Sequence, residues 1–502
     1  MTHTSPKATK DNKRAAGVLL HPTSLPGPYG IGDLGDELLA FLDWAKKAAL
    51  HIWQVLPLNA PGYGNSPYGC LSSYAGNPLL ISPQRLLDDG LLPSAAIVGI
   101  SNSGKLDFEA VAAAKNELLR RSFKHFAEHA SEAQREAFAS FVSDNTWLPD
   151  WALYASLKKR HGGAPWTSWP AALVAREPDA MAAAQKELAD EIRFHEYVQW
   201  LFFTQWASVR KAAQERGIQI MGDVPIYVAA DSADVWANRE IFQLNEQGEP
   251  DVVAGVPPDY FSATGQRWGN PLYRWDYLRE TNYAWWVARF RAALQFADIV
   301  RVDHFRGFAA YWEIPASEPT AINGRWMPGP GRELFDAIRK AVGALPIVAE
   351  DLGHITAEVH ELRKAIGVPG MKILQFAFAQ PDSPHLPHHY EPQTVVYTGT
   401  HDNDTARGWY DQASDEERQT AALYLGVHSA EELPWTLIRT AYTSVADTAI
   451  VPAQDILALG NEARMNLPGE EKDNWSWRLE EGALTDELAD ELRKLAEVSG
   501  RI

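Results

Sequence analysis

Cysteine is almost absent: one residue, Cys70, in 502. A single thiol closes no disulfide within the chain, which excludes a crosslinked secreted scaffold and leads us to expect the cytoplasm. Blocks of positive charge are also missing. The 46 Lys and Arg are outnumbered by 65 Asp and Glu, a formal net charge of −19. Nothing there neutralises a phosphate backbone, so nucleic acid is not an expected partner. No stretch approaches the roughly 18 apolar residues of a membrane span, and Gly17-Val18-Leu19-Leu20 is too short for the core of a signal peptide. A soluble chain with no membrane partner is expected. Neither a phosphate-cradling Walker A loop nor a G-x-S-x-G nucleophile elbow occurs.

What is present describes a folded globular chain, 46% hydrophobic and 22% charged. Tryptophan is over-supplied, 19 residues against 17 Tyr and 18 Phe. Short apolar runs rich in β-branched residues recur at 17–20, 51–58, 218–228, 298–305, 345–351, 372–378, 394–401 and 449–459. Several are too continuously apolar for a one-sided sheet. Helical spacing of apolar residues fills stretches between them, as at 36–49, 284–296 and 331–342. Alternating strand and helix implies a parallel sheet in an α/β protein. Eight units point to a (β/α)8 TIM barrel over 17–502, with a doubly wound sheet as the alternative. Residues 1–16 read as a polar tail. Residues 85–215, mostly amphipathic helix, are too long for a βα loop and read as an inserted helical subdomain. Glycine and proline gather at 59–78, 255–275 and 315–331, read as loop insertions. In barrels of this kind the loops after the strands build the site.

Two patterns mislead. Gly30-Ile31-Gly32-Asp33-Leu34-Gly35 has the spacing of a dinucleotide fingerprint, but it does not follow its strand directly. The acid due about 20 residues later is also missing. His385, His388 and His389 bunch in a Pro-rich segment without Cys or carboxylate at ligand spacing, so we read a loop and expect no metal.

The chemistry lies in acids at strand ends. Asp303 closes one apolar run, Glu350 and Asp351 another, Asp402 follows a third, and Asp223 sits within a fourth. Carboxylates abutting apolar runs are expensive to bury unpaired. The plain alternative is that each pairs with a nearby base or caps the next helix. Four on separate strands of one barrel converge at one mouth, which suits retaining glycosyl transfer: one carboxylate attacks the sugar carbon while a second, with raised pKa, protonates the leaving oxygen. Arg301, two residues before Asp303, faces the same side of a strand and keeps that acid ionised, unless it serves only as a structural ion pair. His401 is placed to hydrogen-bond a sugar hydroxyl.

At these residues the chain resembles glycoside hydrolase family 77, the 4-α-glucanotransferases (amylomaltases or disproportionating enzymes) of the α-amylase clan. The likeness runs through His21-Pro22-Thr23-Ser24-Leu25-Pro26 and the Gly30–Gly35 stretch, which accounts for the false nucleotide motif. It continues in Tyr63-Gly64-Asn65-Ser66-Pro67-Tyr68, Gly222-Asp223-Val224-Pro225, Gly255-Val256-Pro257-Pro258-Asp259-Tyr260-Phe261 and Gly265-Gln266-Arg267-Trp268-Gly269-Asn270-Pro271. It ends in the Asp303 segment, Ala349-Glu350-Asp351-Leu352-Gly353 and Gly399-Thr400-His401-Asp402-Asn403-Asp404-Thr405. The resemblance implies a barrel with inserted subdomains and no separate C-terminal β-domain. It implies Asp303 as nucleophile, Glu350 as general acid/base and Asp402 as the carboxylate that stabilises the transition state. Arg301, His401, Asp223 and Tyr68 then hold the sugar at the cleavage point, Tyr68 by stacking. Ser66, Asp259 and Trp268 join them as substrate-binding positions, Trp268 on a mobile covering loop, and Tyr63 marks a second glucan site. Substrates are α-1,4-glucans as donor and acceptor, with glucose as acceptor or product. No step needs a cofactor or metal.

From the residues alone, the glycine, proline and aromatic content of 260–275 fits such a lid, or an ordinary long loop. Two other functions stand beside transfer: an α-1,4-glucan hydrolase with the same machinery, and a non-catalytic glucan-binding barrel. Trp147, Trp151, Trp166, Trp169, Trp200 and Trp206 are expected to pack within the insertion. Trp268, Trp275, Trp475 and Trp477 are expected to border a sugar-binding groove.

Overall fold

The computed structural model describes residues 14–93, 105–258, 262–470 and 473–502. Twelve strands lie among them: β1 (Ala15–Leu19), β2 (Ile52–Gln54), β3 (Gln219–Pro225), β4 (Val252–Val256), β5 (Gln266–Pro271), β6 (Ile299–Asp303), β7 (Ala310–Pro315), β8 (Arg325–Pro328), β9 (Ile347–Ala349), β10 (Gly370–Ile373), β11 (Thr394–Tyr397) and β12 (Thr448–Pro452). Eight of them run side by side in the order β10-β11-β12-β1-β2-β3-β6-β9, all parallel. The ring closes where the Ala349 N–H at the end of β9 donates to the Pro369 carbonyl before β10 at 2.9 Å. Each of the eight apolar runs overlaps one of these strands, so the (β/α)8 barrel is the fold. The walls are tight: a Cβ on Gly17 of β1 would lie 2.6 Å from Ile450 Cδ1 on β12 and 2.7 Å from the Ile52 carbonyl on β2, a close approach only glycine permits.

The remaining strands correct the reading of 255–275 and 315–331 as loops. They form a second, antiparallel sheet in the order β5-β4-β7-β8. β4 pairs with β7 across the whole of β6, and buried Glu313 on β7 meets Arg325 on β8 at 2.5 Å. Short Gly/Pro-rich strands whose partners lie far along the chain leave no local periodicity to read. The tail boundary also moves. β1 already begins at Ala15, while 1–13 lie outside the described residues.

Between β2 and β3 stand the helices Phe108–His129, Glu132–Asp144, Leu148–Arg160 and Ala189–Glu215. Asp107 caps the first by accepting from Ala110 N–H, and Ser131 with Gln134 forms a capping box on the second. Trp151, Trp166, Trp169, Trp200 and Trp206 are buried and Trp147 half-buried, as expected for packing residues. The long helix Ala189–Glu215 also fixes the segment after β2. Gln199 accepts from Gly76 N–H (2.7 Å) and donates to Gly76 O (3.0 Å), and Gln205 does the same to Ser82 (2.7 and 3.1 Å). Each buried amide thus stands in for a strand partner. The Gly30–Gly35 stretch is structural: a Cβ at Gly32 would stand 2.0 Å from the Pro22 carbonyl, and Asp33 binds the buried Lys115 amine at 3.1 Å. No described helix is long and apolar enough to cross a membrane.

Arg501 closes the bottom of the barrel. Fully buried, it donates to the carbonyls of Tyr442 (2.8 Å), Ala15 (3.0 Å), Asp447 (3.0 Å), Ala441 (3.2 Å) and Ala446 (2.8 Å). Truncation removes all five bonds, although Arg14, Ser444 and the Ala15 amide still donate to the carbonyls of Tyr442, Ala441 and Asp447. Arg501→Ala is expected to lower stability by about 3 kcal/mol, read as a fall in the urea midpoint, and Arg501→Lys to recover little because one ammonium lacks the planar fork.

Candidate active site

The site is assembled around one guanidinium. β3 and β6 pair so that Asp223 faces Arg301 and Pro225 faces Asp303, and residues two apart on a strand share a face. Arg301 therefore reaches both acids, with Nη1 2.5 Å from Asp223 Oδ2 and Nη2 3.0 Å from Asp303 Oδ1. Arg301 and Asp223 are buried, while 30% of the Asp303 side chain faces the cleft. Tyr68, on the segment after β2, donates its hydroxyl to the same Asp223 Oδ2 at 2.8 Å. Its ring stacks on His401 at 5.0 Å and 15° and tilts against Trp475 at 5.9 Å. Part of the aromatic surface expected to meet a sugar is thus spent on His401. Ser66 holds this loop by accepting from Tyr68 N–H at 3.2 Å.

Glu350 stands directly after β9. Its Oε2 accepts from His304 N–H (2.7 Å) and its Oε1 from Leu352 N–H (2.8 Å). Desolvation in the cleft floor and the Asp303 charge push its carboxyl up to about 8, against the pull of Arg301 and the two amides. Asp303 is raised less, to about 6: desolvation lifts it while Arg301 opposes. The neighbouring Asp351 takes the plain structural role instead, accepting from Met371 N–H at 2.7 Å and lying 3.2 Å from Arg363 Nε.

Asp402 follows β11. Its Oδ2 lies 3.3 Å from His401 Nε2, and its Oδ1 accepts from Asn466 at 2.6 Å. Lost hydration pushes its pKa up, but His401 and Asn466 outweigh this and hold it at about 2. Arg464 donates to the Asp402 carbonyl at 2.6 Å and pairs with Asp404, fixing the turn. Neither Asn466 nor Arg464 was legible as a site residue, because each acts from more than sixty positions away in a stretch without pattern.

Trp268 lies on β5, 39% exposed, with its indole edge-on to His304 at 4.8 Å. Trp275 does not border the groove. It is buried against Trp286 and Phe308, because β5 ends and the chain turns into the core before reaching it. Trp475 and Trp477 are also buried, Trp475 close to Tyr68 and His401. The three loop histidines are engaged locally: His385 accepts from Ile373 N–H at 3.1 Å, His388 meets the Tyr424 hydroxyl, and His389 meets the Ser383 carbonyl. Tyr63 opens the short turn Tyr63–Asn65. Asp259 lies outside the described residues.

The family model described as 4-alpha-glucanotransferase matches residues 20–485. The chain belongs to glycoside hydrolase family 77. It is 51% identical to the 4-alpha-glucanotransferase of Thermus thermophilus, across 97% of this chain and 99% of that one. To the 4-alpha-glucanotransferase of Synechocystis sp. it is 48% identical, across 98% of each. Among solved structures, the amylomaltase from Streptococcus agalactiae in complex with acarbose superposes with a TM-score of 0.94. The identity there is 37%, covering 97% of this chain and all of the other. Membership of family 77 thus agrees with the barrel and with the ordered motifs.

Breaking the buried pair has a defined cost. Asp223→Ala leaves the buried Arg301 charge paired with Asp303 alone and is expected to destabilise the fold by about 3 kcal/mol, with Asp223→Ala/Arg301→Met recovering part of it. Urea denaturation of the two variants checks this.

Proposed function

We propose the residue roles by which this 4-α-glucanotransferase works: Asp303 as nucleophile, Glu350 as general acid/base and Asp402 as the stabiliser of the transition state. The observation that carries the assignment is the split in proton affinity among three acids at the ends of β6, β9 and β11. Glu350, raised to about 8, holds a proton at neutral pH; Asp303 beside Arg301 gives its own up earlier; Asp402, held at about 2, stays charged.

Glu350 protonates the glycosidic oxygen as Asp303 attacks the anomeric carbon. The C1–O bond breaks, the reducing-end fragment leaves with a free 4-hydroxyl, and a β-linked glucosyl ester forms on Asp303. A second α-1,4-glucan, or glucose, then presents its 4-hydroxyl. Glu350 takes that proton, the oxygen attacks C1, and Asp303 is released, so two inversions give retention. When the acceptor is the far end of the same chain, the product is cyclic. Asp402 binds the sugar hydroxyls more tightly as positive charge develops at the ring. Tyr68, Asp223, Arg301, His401, Ser66 and Asp259 seat the glucan, Trp268 covers it, and Tyr63 binds a second chain. A sugar hydroxyl outcompetes water because it is held against the ester while the covering strand excludes solvent.

We also assign the chain to the cytoplasm, a reading supported by its lone, buried Cys70. The division into a barrel that starts with β1 at Ala15 and a helical insertion at about 85–215 belongs to the same proposal, supported by the helices Phe108–His129 and Ala189–Glu215.

With maltotriose, longer oligosaccharides and a constant count of reducing ends are expected; a rising count would mean hydrolysis. Asp303→Asn is expected to remove turnover, and unchanged turnover would reject its role. On the free enzyme kcat/KM follows a bell. Activity falls above about pH 8 as Glu350 loses its proton and below about pH 6 as Asp303 gains one. The two limbs belong to the interacting pair.

A further inference from the structure

His304, the residue after the nucleophile, stands in the left-handed region at φ 50 and ψ 48, which a side chain with a Cβ disfavours. Its amide nitrogen lies in the Asp303–His304 peptide and donates to Glu350 Oε2 at 2.7 Å. The next amide, Phe305 N–H, donates to the Glu350 carbonyl at 3.1 Å. One peptide plane therefore joins the nucleophile to the acid/base.

The imidazole is held on two sides. It meets Trp268 edge-on at 4.8 Å and 87°, and it packs on Gly307, where an added Cβ would stand 3.2 Å from His304 Cδ2. Its Nε2 is buried and finds no hydrogen-bond partner among the described residues. Burial pushes the ring down to about 3, so it is neutral at working pH and acts by packing rather than by charge. Trp268 is itself tied within β5, its indole N–H donating to Gln266 at 3.0 Å; its ring also tilts against Tyr227 at 6.4 Å, and the rest is exposed.

We infer that His304 is a positioning residue that couples the seating of Trp268 over the glucan to the geometry of Glu350, through the peptide it shares with Asp303. A disfavoured backbone conformation persists only where its surroundings over-determine it, and the ring contacts of His304 supply that constraint. Glucan pressing on Trp268 loads the imidazole, and the amide stays aimed at Glu350. The other charged groups facing Glu350 are Asp303 and Arg301, both left in place by the test below. The inference rests on Glu350 being the acid/base.

His304→Gly keeps the amide and favours the left-handed conformation, so folding is preserved while the ring is lost. Trp268→Ala removes the other half of the contact. The pH profiles of kcat and kcat/KM on maltotriose are measured for each single variant, for the pair, and for His304→Phe. Each single variant is expected to lose about tenfold in kcat. The alkaline limb should move to higher pH, because a loosened amide stabilises the carboxylate less. The double variant should lose no more than either single one, and His304→Phe should restore most of the loss. Losses that multiply, or a Trp268→Ala effect confined to KM with the limb unmoved, would overturn the coupling. Glu350→Gln separates the two readings: if Glu350→Gln is inactive while the alkaline limb of the His304 and Trp268 variants stays put, only the role of His304 fails, and if Glu350→Gln is active the reading beneath it fails as well.

Discussion

The active site depends on a positive charge buried where water cannot reach it. Arg301 points into the barrel from β6, and a lone guanidinium there would be prohibitively costly. Asp223, fully buried on the neighbouring strand, makes the burial tolerable at 2.5 Å. The second guanidinium nitrogen is then free to hold Asp303 at the edge of the cleft. Tyr68 adds its hydroxyl to Asp223 and its ring to His401, so the same pair also places the aromatic loop after β2. Strand register sets all of this. Slipping β3 against β6 by one residue would turn Asp223 to the other face and leave Arg301 without it.

From that frame the three acids acquire different protons without differing much in chemistry. Desolvation pushes each of them upward. At Asp303 Arg301 opposes it, and at Asp402 His401 and Asn466 overcome it. At Glu350 the Asp303 charge adds to it, and the opposing pull of Arg301 and two backbone amides is not enough. Glu350, the acid/base we propose, is thus the carboxyl whose neighbours leave it protonated, a difference in surroundings rather than in residue type.

The antiparallel sheet gives the barrel something that strand-end acids do not supply. Trp268 rides on β5, which is paired to β4 and through it to β7, the strand that follows the turn after Asp303. Trp268 is therefore joined through one sheet to the chain that leaves Asp303, which suits the proposed transfer, where water has to be kept from a reactive ester while a second sugar is admitted.

Much of this was legible in the linear sequence. Eight apolar runs announced the barrel because parallel strands buried on both faces need such runs, and Asp303, Glu350 and Asp402 stood out because acids do not otherwise end them. The i, i+2 spacing of Arg301 and Asp303 already implied a shared face. The run of residues taken alone could not separate Glu350 from Asp351, which adjoin one another; the family resemblance pointed to Glu350 without a physical reason. Only the fold turned one into the cleft between two amides and gave the other to Arg363. Nor could it show that β4, β5, β7 and β8 belong to one sheet, that Trp275 turns inward, or that Asn466 and Arg464 hold the Asp402 turn. Those outcomes depend on contacts between residues far apart along the chain. Periodicity reports which face a residue occupies within its own element; what stands opposite that face is decided when the elements pack.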